Sequence, residues 1–229
     1  MLNQDQQKSL VGTKSATLVK TGMKIGLGTG STVFYLIQEL GKRVREQGLQ
    51  IQAVCTSIQT ENLAKKNQIQ VKTLAQVSQL DLTIDGADEF DVHLNLIKGG
   101  GGALLREKIV AYHSKKFVII SDESKKVDTL GAFKLPIEVV QFGADTTLQQ
   151  IQKICPKSTF RISPATKTRF VTDNQNFIID CDFLKIENTY QLQSQLKSIP
   201  GVVETGLFLN MADLVLVGTG DSQVLQISK

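Results

Sequence analysis

The sequence predicts an α/β protein, a doubly wound and mostly parallel sheet joined to a second, smaller α+β domain. Three observations carry that expectation. Strand-like and helix-like segments alternate through the first half of the chain. Glycine-rich loops stand where strands pass into helices. From about residue 135 the order changes to strand, helix, strand, strand, helix, strand.

Residues 23–27 read as an apolar strand. Residues 31–47 read as a helix, because Val33, Phe34, Leu36, Ile37, Leu40 and Val44 recur at helical spacing, with Ser31 or Thr32 as N-cap and Gly48 as stop. The alternation continues through strand 51–55, helix 57–67, strand 81–84, helix 103–114 and strand 116–120. This is a Rossmann-like layout, in which ligands bind beyond the carboxyl ends of the strands, so chemistry is expected in the loops after Leu27, Cys55, Ile84 and Ile120. Further on come strand 135–140, helix 147–154, a hairpin joining 169–172 to 177–181 across Asp173-Asn174-Gln175-Asn176, helix 189–198 and strand 202–207. With 159–161 or 169–172 as second strand, that order is ferredoxin-like. The expected division is residues 1–130 plus 205–229 as the Rossmann-like catalytic domain, and 131–204 as a small domain engaged in oligomer contacts. Residues 213–217 return to the first sheet, and the Gly218-Thr219-Gly220-Asp221 that follows echoes Gly28-Thr29-Gly30-Ser31 as a loop coincidence rather than a repeat.

Bulk properties narrow the function. The 229 residues are 41% hydrophobic and 21% charged, as expected of a globular chain. The net charge of +4 is spread along the sequence; it is too weak to argue for nucleic acid, and it suits anionic substrates or simply a solvated surface. Cys55, Cys155 and Cys181 lie far apart with no C-x-x-C pair, so neither a disulfide framework nor a thiolate zinc site is indicated. The polar N-terminus lacks a signal-peptide core, and no apolar run approaches the roughly 20 residues of a membrane span. The expectation is a cytoplasmic protein without membrane association.

Two glycine loops and the acids beside them hold the candidate chemistry. Gly26-Leu27-Gly28-Thr29-Gly30-Ser31-Thr32 joins a strand to a helix, a setting in which backbone N–H groups converge on an anion such as phosphate. It lacks the Gly-Lys-Ser/Thr of a P-loop, and Ser31 stands where a dinucleotide fingerprint needs glycine. Val54-Cys55-Thr56-Ser57 also supplies no acid for a ribose at the end of the second strand. A glycine turn serving only strand-to-helix geometry is the alternative. Lys98-Gly99-Gly100-Gly101-Gly102 is costlier to explain as structure, since four glycines make a floppy loop unless backbone must approach something closely; the loop suits donors around an oxyanion. On the helix that follows, Glu107 projects between Ala103 and Val110 on one side and Leu104 and Ala111 on the other. It is a half-buried candidate base, or else a surface glutamate paired with a cation. Asp85-Gly86-Ala87-Asp88-Glu89-Phe90-Asp91 closes a strand and admits three readings: a divalent-metal site aided by His93 or His113, a solvated acidic turn, or paired carboxylates that move hydroxyl protons.

These residues resemble, in order and spacing, the motifs of type A ribose-5-phosphate isomerases: Gly28-Thr29-Gly30-Ser31-Thr32, Asp85-Gly86-Ala87-Asp88-Glu89, Lys98-Gly99-Gly100-Gly101 and Arg106-Glu107-Lys108. The likeness extends through Ser124-Lys125-Lys126-Val127, Leu135-Pro136-Ile137-Glu138-Val139, Val171-Thr172-Asp173-Asn174 and Ile199-Pro200-Gly201-Val202-Val203. It implies interconversion of ribose 5-phosphate and ribulose 5-phosphate in the non-oxidative pentose phosphate pathway by a homodimer or homotetramer, with neither cofactor nor metal. Carried over by position, the resemblance makes Glu107 the proton acceptor and Asp85 and Asp88 the acids for ring opening and hydroxyl proton movement. Lys98, Gly99, Gly100 and Gly101 then surround the reacting oxygens. Thr29, Gly30, Ser31 and Thr32, together with Gly86, Ala87 and Lys125, contact substrate, and Lys8 is a looser phosphate candidate. Gly102 departs from the small residue expected there. The rivals are a non-catalytic sugar-phosphate sensor, which would be joined to a DNA-binding segment, and a CoA transferase, which would leave Asp85 and Asp88 unexplained.

Overall fold

The computed structural model describes residues 1–228 and contains six α-helices and fourteen strands among them. In chain order they are α1 Gln4–Ser15, β1 Lys24–Leu27, α2 Ser31–Gln47, β2 Gln52–Cys55, α3 Ile58–Lys66, β3 Gln70–Val71, β4 Leu82–Asp85, β5 Glu89–Phe90 and β6 Leu96–Ile97. There follow α4 Leu104–Tyr112, β7 Phe117–Asp122, β8 Leu135–Val139, α5 Ala144–Gln152, β9 Ser158–Phe160, β10 Phe177–Cys181, α6 Thr189–Lys197, β11 Val202–Thr205, β12 Leu207–Phe208, β13 Leu214–Gly218 and β14 Val224–Ser228.

The chain forms two compact units. The first takes Met1–Ala87, Arg106–Lys126 and the residues from Asn210 on; the second takes Asp88–Leu105 and Val127–Leu209. The first holds a seven-stranded sheet in the order β14-β13-β7-β4-β1-β2-β3, parallel throughout except for the antiparallel edge strand β14. Counted along the chain, its parallel strands run 3-2-1-4-5-6, so the order reverses between β1 and β4, where ligands bind in such sheets. The core is apolar on both faces of the sheet, with Ile25, Leu27, Leu36, Ile37, Leu40, Ile84 and Val118 fully buried. Gly48, left-handed at φ 66°, closes α2, and the Ser57 hydroxyl caps α3 by accepting the Thr60 N–H at 3.1 Å.

The second unit has a four-stranded antiparallel sheet in the order β11-β8-β10-β9 with α5 and α6, the ferredoxin-like β-α-β-β-α-β arrangement. It also holds a small sheet, β12-β6-β5. Strand β12 pairs antiparallel with β6, which groups residues 88–105 with the second unit although the sequence division drew that unit from 131 to 204 only.

Several elements differ from the sequence reading. Of the two alternatives for the second strand the structure takes the first, as β9, whose Phe160 pairs with Ile179, while the expected strand 169–172 shrinks to single bridges at Ile162–Arg169 and Val171–Phe177. A distant carboxylate shares in holding the turn: fully buried Glu138 accepts from the Thr172 hydroxyl at 3.0 Å and the Asn176 amide at 2.9 Å, beside the backbone bond from the Thr172 N–H to the Asn176 carbonyl at 2.9 Å. Helix α5 starts three residues earlier than expected, at a left-handed Gly143 whose carbonyl takes the Thr147 N–H. The expected strand 202–207 breaks at Gly206, leaving β11 in one sheet and β12 in another. Helix α1 was not foreseen. Its buried face is Gln7, Val11, Gly12 and Ser15, which makes no apolar stripe, and an Asn3–Gln6 capping box starts it. No helix among the described residues is long and apolar enough to cross a membrane.

Candidate active site

In the first unit the site begins at the reversal between β1 and β4. Asp85, the last residue of β4, is fully buried, and its Oδ1 accepts the Gly86 N–H at 2.7 Å and the Thr29 N–H at 3.1 Å. The carboxylate lies against the α-carbon of Gly28, where any side chain would overlap it. Glycine at 28 is thus the condition for an acid at 85. Thr29 is fastened on its other side by hydroxyls: its Oγ1 meets Thr56 and Ser57 at 2.8 Å each, and Thr60 donates to the Gly28 carbonyl at 2.8 Å. The residues found where a dinucleotide site wants an acid are therefore loop anchors. Gly30 precedes α2 without a side-chain cap, Ser31 is exposed, and a cavity of about 390 Å³ borders both. The first amides of α2 are available to an anion.

Glu107 lies one turn into α4 and is 4% exposed, on the stripe with Leu104, Val110 and Ala111. Packing forces that orientation. A side chain at Gly26 would overlap Thr83 and press on Val110, so α4 lies close over β1 and β4, and its end is tied by Thr83 Oγ1 to Ser114 Oγ at 2.6 Å and by Leu80 N–H to the His113 carbonyl at 3.1 Å. A surface position does not fit a side chain this buried.

Lys125 is half-buried on a single 3-10 turn, Glu123–Lys125, after β7. The unforeseen α1 holds that turn: Gln7 Nε2 donates to Glu123 at 2.8 Å, and Gln4 Nε2 to the Ser124 hydroxyl at 3.2 Å. Lys8 is half-buried beside Gln7 on the same helix.

In the second unit the acid run divides by task. The Glu89 carboxylate takes the backbone N–H groups of Gly131 and Phe133, and Asp91 takes those of His93 and Asn95, so both anchor loops. Asp88 instead accepts the Gly100 N–H on Oδ2 at 2.7 Å, which brings the acid and the second glycine run together. Lys98 is 2% exposed, with Nζ 5.5 Å from the Phe208 ring centre, and its N–H donates to the Gly206 carbonyl at 2.9 Å. Gly102 closes the loop at φ 79°, its α-carbon against the Phe170 ring, which explains why a larger small residue is absent at 102. Among the described residues no group of three or more His, Cys, Asp and Glu side chains is placed to hold a metal ion.

Sequence reasoning missed one contributor. Arg161 reaches across sixty residues to the glycine loop, donating from Nη1 to the carbonyls of Gly99 at 2.8 Å and Gly100 at 2.9 Å.

Residues 52–222 match the model of ribose 5-phosphate isomerase A (phosphoriboisomerase A). The chain belongs to the ribose 5-phosphate isomerase A family. It is 48% identical to ribose-5-phosphate isomerase A 1 of Oceanobacillus iheyensis, over 97% of this chain and 98% of the relative. A solved D-ribose-5-phosphate isomerase in complex with phospho-erythronic acid superposes with a TM-score of 0.95 at 37% identity over the full length of both chains. The isomerase A of Methanocaldococcus jannaschii gives 0.92 at 39% identity, covering 98% of this chain and 99% of that one. The family consists of aldose–ketose isomerases of the pentose phosphate pathway, and membership does not favour the sensor alternative.

Proposed function

We propose that Glu107 is the base in the interconversion of ribose 5-phosphate and ribulose 5-phosphate, the reaction of this family. Its carboxylate takes the proton from C2 of the open-chain aldehyde, the electron pair forms the C1=C2 bond, and O1 becomes the enediolate oxygen. After a proton passes from O2 to O1, Glu107 returns its proton to C1 and the carbonyl appears at C2. What supports this role is burial of the carboxylate on the inward stripe of α4, where water does not compete for the proton. Asp85 and Asp88 carry the oxygen-bound protons and assist ring opening. Lys98 and the N–H of Gly101 face the developing oxyanion with Gly99 and Gly100 shaping the loop, since the Gly100 N–H is already given to Asp88. The phosphate is held by the loop Thr29, Gly30, Ser31 and Thr32 and by Lys125, with Lys8 near the same turn, while Gly86 and Ala87 line the sugar. Phospho-erythronic acid, the ligand of the related solved structure, has a carboxylate where the substrate becomes an enediolate, which suits this division between a phosphate loop and an oxyanion loop. The protein works in the cytoplasm as a homodimer or homotetramer, without cofactor or metal.

The test is to add ribose 5-phosphate in D₂O with a chelator present and follow ketose formation and deuterium at C1. Glu107→Gln is expected to lower kcat by about 10²- to 10⁴-fold while sugar-phosphate affinity stays near that of the native chain. Native-like turnover in that variant would remove Glu107 from the chemistry.

A further inference from the structure

Arg161 is tied on one side to Asp180 in a two-point pair, Nε to Oδ2 at 2.9 Å and Nη2 to Oδ1 at 2.5 Å. Its remaining nitrogen, Nη1, reaches the carbonyls of both Gly99 and Gly100. The two side chains keep 14% and 19% of their surface exposed, so the pair is largely removed from solvent and geometrically defined. Behind the loop the Phe170 ring lies 5.9 Å from the guanidinium centre and packs on Gly102.

Planarity turns this contact into orientation. The described residues contain no cis peptide bond, so the N–H of each peptide in the loop points opposite to its carbonyl. With the Gly99 carbonyl turned to Arg161, the Gly100 N–H faces the other way, where Asp88 Oδ2 receives it at 2.7 Å. The Gly100 carbonyl is turned to the same nitrogen, so the Gly101 N–H emerges on the Asp88 side of the loop. A run of four glycines would otherwise sample many peptide orientations, at about 1–2 kcal/mol of ordering entropy per residue. A cation on the carbonyl oxygens also polarises both peptide groups, which strengthens their N–H groups as donors.

We infer that Arg161, held by Asp180, is a positioning residue of the isomerase: it fixes the second glycine loop so that the Gly100 amide meets Asp88 and the Gly101 amide is aimed at the enediolate oxygen, without touching substrate. This rests on the oxyanion role proposed above for that loop. It predicts selective loss of affinity for a planar anion at the sugar end and no loss at the phosphate end. A purely structural ion pair makes no such distinction.

The experiment compares the native chain with Arg161→Ala, Arg161→Lys and Asp180→Asn, using two probes. Phospho-erythronic acid carries a carboxylate at the sugar end; erythritol 4-phosphate carries the same phosphate and no carboxylate. Arg161→Ala is expected to lower kcat about 10²-fold, to change KM less than about threefold, and to weaken the acid at least tenfold while leaving the alcohol unchanged. Millimolar guanidinium should restore part of that kcat. Arg161→Lys keeps the charge but cannot hold Asp180 and two carbonyls together, and should fall between. The inference is overturned if folded Arg161→Ala keeps kcat within about threefold of native and binds both probes normally, or if it loses both probes equally. Should Arg161→Ala not fold, native values in both Arg161→Lys and Asp180→Asn overturn it instead. Probe binding is read without turnover. An active Glu107→Gln with acid-selective loss at Arg161 would therefore break the base assignment and leave this inference standing.

Discussion

The two glycine loops are alike in composition and opposite in how they are held. In the first, Thr29 is fixed by its own side chain among neutral hydroxyls, and Gly28 only makes room for Asp85. In the second, no loop side chain is available, and the peptide carbonyls are gripped from behind by a distant arginine. A loop that binds a permanent charge such as phosphate needs shape, which short local hydrogen bonds supply. A loop that meets charge only during reaction needs its dipoles aimed beforehand, which a cation on the carbonyls supplies.

Substitutions at the glycines separate these two designs. Gly28→Ala drives a methyl into the Asp85 carboxylate, so stability should fall by about 1–3 kcal/mol and kcat by 10²-fold or more, measured by urea denaturation and turnover. Gly102→Ala faces a side-chain ring and a left-handed backbone, and its effect should be smaller, about 1–2 kcal/mol and tenfold in kcat. The reverse ranking would mean that the second loop is the more rigid. The least effect is expected at the other end of β4, where Asp81 is held below the usual carboxylate range by its bond to the Lys115 ammonium and by the Lys24 N–H. Because its folded pKa is lowered, this contribution is present above the unfolded value and lost as pH falls through the folded one. Asp81→Asn should then cost about 0.5 kcal/mol near pH 7 and nothing at about pH 2, with kcat untouched.

The first unit was largely legible because its instructions are local. Apolar runs separated by glycine loops place β1, α2, β2 and β4 within a residue or two, and helical phase puts Glu107 on the apolar flank of α4, although only the neighbouring glycine loop and acids made it a candidate base. Asp85 and Asp88 were set apart from Glu89 and Asp91 only by the family resemblance and not by residue type, because the physical difference lies in which backbone each one reaches. Arg161 was illegible for the same reason, its partners being sixty residues back. Two-residue strands such as β5, β6 and β12 carry no periodicity at all, and the hairpin turn at 173–176 formed with a shorter first arm than expected and with Glu138 bound to it, a residue no turn rule consults.

One feature of the sheet governs how the molecule is made. Strand β13 (Leu214–Gly218) fills the place between β7 and β14 and follows the second unit in the chain. A nascent chain on the ribosome therefore carries β7 with its outer backbone groups open while Val127–Leu209 of the second unit is synthesised. The sheet that carries Asp85 and the Lys125 turn therefore gains its last two strands, β13 and β14, only after the residues of the second unit have been made.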